Sequence, residues 1–480
     1  MSARPVLRGG LRIDSNKARP LEQPIAAAPA PRLAVLALDQ GSGEPAQAIV
    51  APGTAVRVGT RIAVGRGGAA DLHSPVSGEV RAIESRPTAA GTGLCVVVAN
   101  DGRDDRESGL VPLDWTALDP PELLERLAGG GLAGLGGAAF PTAGKLALAR
   151  AAGVEWLLVN GAECEPWICC DDALMRARAH DVVLGAQVLM HAMGAERCTV
   201  AIQDDKPEAT AAVQAAVEAA ADARIAIAAV SACYPAGAER LLLEAVTGIE
   251  VPHGTWPSTS GLLCQNVGTA AAAAGVVRGE PVTSRVVTVT GSGVARPGNL
   301  YARLGTPVST LVEACGGYTD RPLRLIAGGS MMGRALATDE VPVTLALNCL
   351  LVATAGDLVE RGTEYACIRC GNCADVCPPR LLPQQLLRGV VANDPDVLER
   401  HGLTDCIECG CCDYVCPSAI PLTARFRAAR AEARVRESAR WRADDLRDRY
   451  ARHGQRLEAA SEAERRAFEN ARDRARGQGG

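Results

Sequence analysis

The sequence predicts a multidomain α/β chain, on three observations. Its 480 residues, 48% of them hydrophobic, exceed what one core normally organises and suggest about three to four domains. Helix-period and strand-like segments alternate through its middle third. Eight of its 18 cysteines crowd into two matching motifs toward the C-terminal end.

Taken in order, residues 1–30 are rich in Pro, Ala and Arg without usable periodicity and are expected to form an extended lead-in. Across residues 31–110 short apolar runs (56–58, 61–64, 79–83, 95–98) alternate with Gly, Pro and Ser turns, the pattern of a small β domain. Residues 112–121 resemble a linker. An α/β domain is expected over 115–282, where helical patterns at 122–127, 181–193 and 207–221 alternate with strand-like runs at 156–159, 199–202 and 224–230. A compact β-rich module follows at 283–345, then a cysteine-bearing domain at 346–425 and a charged tail at 426–480. Beyond Thr423 the tail carries 16 Arg against 10 acidic residues with the signs interspersed, which predicts a solvated helix.

The net charge of −5 supplies no basic field for nucleic acid or an anionic membrane. The start lacks an apolar core of signal-peptide length, and the longest apolar stretches, such as 341–355, are interrupted, so a cytosolic chain without a spanning segment is expected. Cysteines in a large chain of that kind point to metal ligation over disulfides. Nine of them (Cys95, Cys164, Cys169, Cys170, Cys198, Cys233, Cys264, Cys315, Cys349) are scattered in apolar or small-residue surroundings and read mostly as inert core thiols.

The remaining ones are not scattered. Cys367, Cys370, Cys373 and Cys377-Pro378 follow C-x2-C-x2-C-x3-C-P, and Cys406, Cys409, Cys412 and Cys416-Pro417 repeat it. A tight loop can converge three thiolates on one [4Fe–4S] cubane, whereas the fourth cannot easily reach the same one. In two-cluster ferredoxins it crosses over, which assigns Cys367, Cys370, Cys373 and Cys416 to one cluster and Cys406, Cys409, Cys412 and Cys377 to the other. Two structural zinc sites are the alternative, but zinc uses paired C-x2-C motifs, not a 2-2-3 run closed twice by proline. Cys411 falls outside the pattern, a bystander beside the cluster.

A second concentration of signal lies at residues 129–145, where seven glycines precede Lys145, one of only three lysines in the chain. Glycines let a backbone approach a phosphate or ring closely, and a following helix N-terminus favours anions. A helix-like segment precedes this loop, so the ordinary strand-first dinucleotide fingerprint is weak. Downstream, the run 156–159 leads into Asn160-Gly-Ala-Glu163-Cys-Glu165-Pro166, which places amide and carboxylate groups at a strand's C-terminal end, where α/β sheets bind ligands. These residues could equally cap a turn.

Together with Arg8-Gly9-Gly10, His73-Ser-Pro-Val-Ser-Gly78, Gly134-Leu-Gly-Gly-Ala-Ala-Phe-Pro-Thr142, Tyr234-Pro-Ala-Gly-Ala-Glu239, Gln265-Asn-Val-Gly-Thr269 and Gly328-Gly-Ser-Met-Met-Gly333, these motifs resemble, over about residues 7–425, the RnfC (RsxC) component of the Rnf (Rsx) ion-translocating electron-transport complex, a ferredoxin:NAD oxidoreductase. The central part is also similar to the flavin-bearing NADH-oxidising subunit of respiratory complex I. The resemblance implies an N-terminal barrel-sandwich hybrid, a Rossmann-like flavin/NADH domain, a β-grasp module and a helical two-cluster ferredoxin-like domain. It implies FMN contacts at Gly134, Gly136, Gly137, Lys145, Asn160, Glu163, Gly237, Glu239, Asn266 and Thr269, and a catalytic NADH contact at Glu165. Three positions depart from the complex I pattern: Leu135, Ala162 and Ala238. The implied partners are NAD(H), the other subunits of a membrane-bound complex and, through them, ferredoxin, with no nucleic acid. The implied location is peripheral, on the cytoplasmic face of the inner membrane. The N-terminal domain has no lysine to carry a lipoyl group, so docking is its expected role.

Hydride carries two electrons and each cubane takes one, which is a chemical reason to expect a flavin between them. Two other readings are a soluble flavin and iron–sulfur cobalamin reductase-like protein, against which the leading domain with His73 to Gly78 argues because its resemblance is to the Rnf component, and a cluster-only electron wire without flavin chemistry.

Overall fold

The computed structural model of the chain describes residues 8–67, 69–358 and 362–477. The lead-in and the tail, expected at 1–30 and 426–480, therefore each extend beyond the described residues.

Two antiparallel sheets make the N-terminal domain. One pairs the strands Leu33–Ala37, Gly91–Asn100, Gly78–Thr88 and Ala55–Val56 in that order, and the other pairs Glu44–Ala48, Arg61–Arg66 and Leu72–His73. Leu36, Ile62, Leu72, Val80, Val96 and Val98 fill the space between them. This is the barrel-sandwich hybrid.

The central domain is built on a four-stranded parallel sheet in the order Ile225–Val230, Arg197–Gln203, Trp156–Gly161, Leu262–Asn266. Its strands are nearly continuous apolar runs because helices cover them. The longest helix of this domain, Cys170–Met193, packs on Val267–Val277 without room for side chains at the crossing: a Cβ on Gly185 would sit 1.7 Å from the Ala270 carbonyl oxygen. Four strand C-termini thus open on one edge of the sheet. The segment 112–121, read as a linker, is docked: Leu113 N–H donates to Val277 O, and Trp115 meets the His191 ring edge-on at 5.7 Å.

The β-grasp module is a six-stranded mixed sheet, and here two expected boundaries move. Cys349–Ala353, assigned by position to the cysteine domain, hydrogen-bonds parallel to Ser284–Thr290 and antiparallel to Arg324–Ala327 in the middle of this sheet, so the module runs past residue 345. Every residue of that strand is buried. Ala26–Ala27, from the expected lead-in, adds a parallel edge strand beside Gly298–Arg303.

In the cysteine domain, Pro383–Ala392 and Pro395–Arg400 pack with Leu403 and Phe426 around Leu386 and Leu398. Phe426 is 1% exposed. The tail therefore does not begin at 426: one helix, Leu422–Gly477, starts inside this domain and continues outward as the solvated helix its composition predicts.

Candidate flavin and iron–sulfur sites

The two cysteine motifs fold alike. Arg369 and Gly371 in the first, and Glu408 and Gly410 in the second, have positive φ, as do Arg380 and Ala419, each three residues past the fourth cysteine. The repeated left-handed positions curl each loop inward, and a short helix, Asn372–Asp375 or Cys411–Tyr414, follows. One cavity is lined by Cys367, Cys370, Cys373 and Cys416. The other is lined by Cys377, Cys406, Cys409 and Cys412, with the buried Cys411 beside them. The structure thus groups the thiols in the crossed pattern, and four soft sulfur donors about each cavity fit a cubane. The surroundings differ. Cys367 and Cys370 are exposed beside Tyr365 and Ile368, whereas Cys409 and Cys412 are buried. Glu408 is held by Arg427 (2.7 Å) and Arg430 (2.9 Å), which ties the second loop to the emerging helix.

At the strand C-termini of the central domain the glycine loop closes on itself, with Gly134 N–H donating to Phe140 O at 2.8 Å and Gly137 at φ +105°. Lys145 donates to Glu239 Oε1 (2.7 Å) and to the Cys264 carbonyl (2.8 Å). Asn160 Nδ2 donates to Gly237 O (2.9 Å) while its Oδ1 accepts from Ala162 N–H (3.0 Å). Asn266 caps the Val267–Val277 helix through Gly268 N–H. A Cβ on Gly136 would lie 3.2 Å from Asn266 Cβ, and one on Gly237 would lie 3.1 Å from Cys164 Sγ. Both glycines thus make room for neighbouring side chains of the cradle, and Asn266 spends its amide on Asn160 O and Asp171 Oδ2, which leaves the Lys145 ammonium and the Asn160 amide as the donors at the strand ends that fit a phosphate-bearing planar ring.

Two of the ten expected flavin residues support this edge from behind. Thr269, fully buried, accepts the Leu135 N–H at 2.9 Å and so anchors the glycine loop. Glu163 accepts the N–H groups of Asp171 (2.7 Å) and Asp172 (3.0 Å) at the start of the Cys170–Met193 helix. Burial, and then the Glu163 charge, push the Asp171 carboxyl up to about 7, against hydrogen bonding from Asn266. At Leu135, one of the positions that depart from the complex I pattern, the buried Arg285 of the β-grasp module donates to the backbone carbonyl at 2.8 Å.

Glu165, expected at the nicotinamide, is turned toward the β-grasp module. Its Oε1 accepts from Met331 N–H (2.8 Å) and Met332 N–H (2.9 Å), and burial raises its carboxyl above the ordinary value while those donors oppose the rise. In that pose it braces the 160–166 turn on the 328–333 loop.

Two further features carry no site role by sequence pattern. Tyr234, 3% exposed, donates its hydroxyl to the Cys409 carbonyl at 2.6 Å, joining flavin-type domain to cluster loop. Phe140 and Trp256, both exposed with ring centroids 6.4 Å apart, stand beside the glycine loop. Phe140 lies inside the glycine-loop motif, where its ring could have been noticed. Tyr234 opens the 234–239 motif, but nothing in that motif points to its hydroxyl's partner, which is 175 residues away.

A flavin-type α/β domain stands against a two-cluster ferredoxin-type domain, the architecture of a flavin and iron–sulfur protein. Family models agree with each part: the RnfC barrel sandwich hybrid domain matches residues 6–103, the Nuo51 FMN-binding domain 128–274, the SLBB domain 286–335 and the 4Fe-4S dicluster domain 366–420. The RnfC component of the ion-translocating oxidoreductase complex of Pseudomonas aeruginosa is 44% identical over 475 residues, 98% of this chain and 61% of that protein. The protein of the same name in Erwinia tasmaniensis is 41% identical over 383 residues, 79% of this chain and 47% of that one. Over this shared region the chain is similar to the RnfC proteins of ion-translocating oxidoreductase complexes. It spans 47% to 61% of the length of these relatives. Among solved structures, an NAD+-reducing [NiFe]-hydrogenase in the H2-reduced state aligns at 22% identity and a TM-score of 0.47, covering 65% of this chain and 61% of that one.

Proposed function

We propose that this chain is the peripheral subunit through which a membrane-bound, ion-translocating complex exchanges electrons with NAD(H), by way of FMN and two [4Fe–4S] clusters. The observation that carries this is the packing of Tyr234 and Cys164, from the flavin-type domain, with Cys409 and Cys411 of the second cluster loop in one apolar group. A dry contact of this kind is the short path that electron exchange between a flavin and the second cluster would need.

FMN held here would supply the chemistry that links a two-electron hydride donor to one-electron clusters. Lys145 and Asn160 would hold the flavin, while Asn266, bonded to Asn160 O, Asp171 and Gly268, fixes the strand end beneath it. Phe140 and Trp256 offer stacking surface for a dinucleotide base. Cys377, Cys406, Cys409 and Cys412, the last two buried, would hold the nearer cluster, and the set around the exposed Cys367 and Cys370 would hold the one that meets a partner. Among the described residues no helix is long and apolar enough to cross a membrane. Attachment at the cytoplasmic face is therefore assigned to partner subunits, with ferredoxin reached through them.

The test is anaerobic reconstitution with iron, sulfide and FMN. About one acid-extractable flavin and eight irons per chain are expected, with NADH bleaching the flavin and cluster bands in turn. A broad iron–sulfur band with no extractable flavin favours the cluster-only wire, and zinc in place of iron removes both readings. Co-expression with membrane subunits should move the chain from the soluble to the membrane fraction.

A further inference from the structure

Arg8-Gly9-Gly10 is a motif that neither the flavin cradle nor the cluster ligands use. Gly9 and Gly10 have φ of +75° and +79°, and a Cβ on Gly9 would lie 2.9 Å from the Cys377 carbonyl oxygen. Gly10 N–H donates to Val376 O at 2.9 Å. The next residue, Leu11, exchanges both backbone hydrogen bonds with Tyr234, at 2.7 and 2.9 Å. Ser15 O accepts from Trp167 N–H at 2.7 Å, and Lys17 Nζ donates to the Glu163 carbonyl. One extended segment thus touches, in series, Cys377, Tyr234 and the flavin-type turn. Leu11 and Ile13 pack into the same apolar group as Tyr234, Cys409 and Met331.

We infer that residues 9–17 and Tyr234 form a clamp that fixes the cluster of Cys377, Cys406, Cys409 and Cys412 against the flavin turn, with Tyr234 a positioning residue that also tunes that cluster. The inference rests on the flavin and cluster reading above. Two glycines in left-handed conformations against a cysteine backbone leave the segment one way to lie. The Tyr234 hydroxyl is buried with its proton aimed at a cluster-loop carbonyl, where a dry environment strengthens its dipole. The positive end of that dipole faces the loop and favours the more negative, reduced cluster. Phenylalanine would fill the same space and keep the backbone exchange with Leu11, but it would lack the dipole.

The experiment uses the full chain reconstituted with iron, sulfide and FMN, titrated under EPR. In Tyr234→Phe, with flavin and iron content at the wild-type level, one cluster signal should move to lower potential while the other stays. In Gly9→Ala, about half of the iron should be lost to a chelator faster than in wild type. Gly53→Ala, which strains a glycine at φ +89° with nothing within 4 Å of its Cβ, serves as control and should match wild type. Both potentials unchanged in Tyr234→Phe would overturn the tuning role, and chelation in Gly9→Ala no faster than in the control would overturn the clamp. A wild-type chain that takes up no flavin, or fewer than about eight irons, would instead overturn the functional reading beneath them.

Discussion

Lys145 Nζ stands 2.7 Å from Glu239 Oε1 at the strand ends, joining the helix after the glycine loop to a helix 94 residues further along. The ammonium is 21% exposed and spends a second hydrogen bond on the Cys264 carbonyl. A charged hydrogen bond from such a lysine to bound FMN is worth roughly 1.5–3 kcal/mol, so Lys145→Met should weaken flavin affinity about 10- to 150-fold. Iron content should not change, because the cluster loops do not touch this pair. Flavin titration by fluorescence quenching reads the effect, and unaltered affinity would take Lys145 out of the site.

Glu163 serves the flavin edge through the Cys170–Met193 helix. Glu163→Ala leaves the Asp171 and Asp172 N–H groups without their acceptor, a capping loss of about 0.5–2 kcal/mol. Hydrogen exchange at those two amides should accelerate up to roughly 30-fold. The same substitution removes the second-largest influence holding the Asp171 carboxyl near 7, so that carboxyl should titrate lower while burial still keeps it above the ordinary range. Exchange rates equal to wild type would mean that the helix start has another acceptor.

The N-terminal domain should report its contact with the glycine loop through pH. His73 is 5% exposed, and burial drops its imidazole from 6.5 to about 4 despite the nearby Asp71. Its Nδ1 has no partner among the described residues, and the Gly129 backbone beside the ring opposes the drop only weakly. Between pH 6.5 and 4 the unfolded chain holds a proton that the folded chain refuses, so stability is intact above pH 6.5 and falls as pH drops through this window. The loss approaches roughly 3 kcal/mol at the acid end. Denaturation of wild type and His73→Gln across that window should differ in slope, the variant being flatter. Parallel curves would place the acid sensitivity elsewhere.

Much of this was legible because it is local. The 2-2-3 cysteine spacing dictates a curled loop, and the apolar runs at 156–159 and 199–202 can only be covered strands. What was hidden is non-local. Residues 8–17 have no periodicity because their partners are the backbones of Val376 and Tyr234, and backbone bonding leaves no side-chain pattern. Cys349–Ala353 reads as an apolar run of uncertain allegiance, since its place between two strands of the β-grasp sheet is set by pairing across more than 20 residues. Glu165 sits in a ligand-binding turn by motif, yet the loop amides at Met331 and Met332 claim its carboxylate from another domain.

The crossed grouping of thiols gives the sharpest prediction. Cys377 belongs by sequence to the first motif but lines the cavity of Cys406, Cys409 and Cys412, and Cys416 makes the reciprocal exchange. Cys377→Ala should therefore damage the buried cluster, leaving about four irons per chain and the signal of the exposed one. Cys416→Ala should do the reverse. The two clusters differ in access, because Cys367 and Cys370 are exposed while Cys409 and Cys412 are buried, so a hydrophilic oxidant should bleach the exposed cluster first. That order assigns each EPR signal in wild type without reference to the mutants. If Cys377→Ala erased the fast-bleaching signal and spared the slow one, each motif would ligate its own cluster, and the Tyr234 hydroxyl on Cys409 would still face the second cluster but without the clamp's hold on it through Cys377.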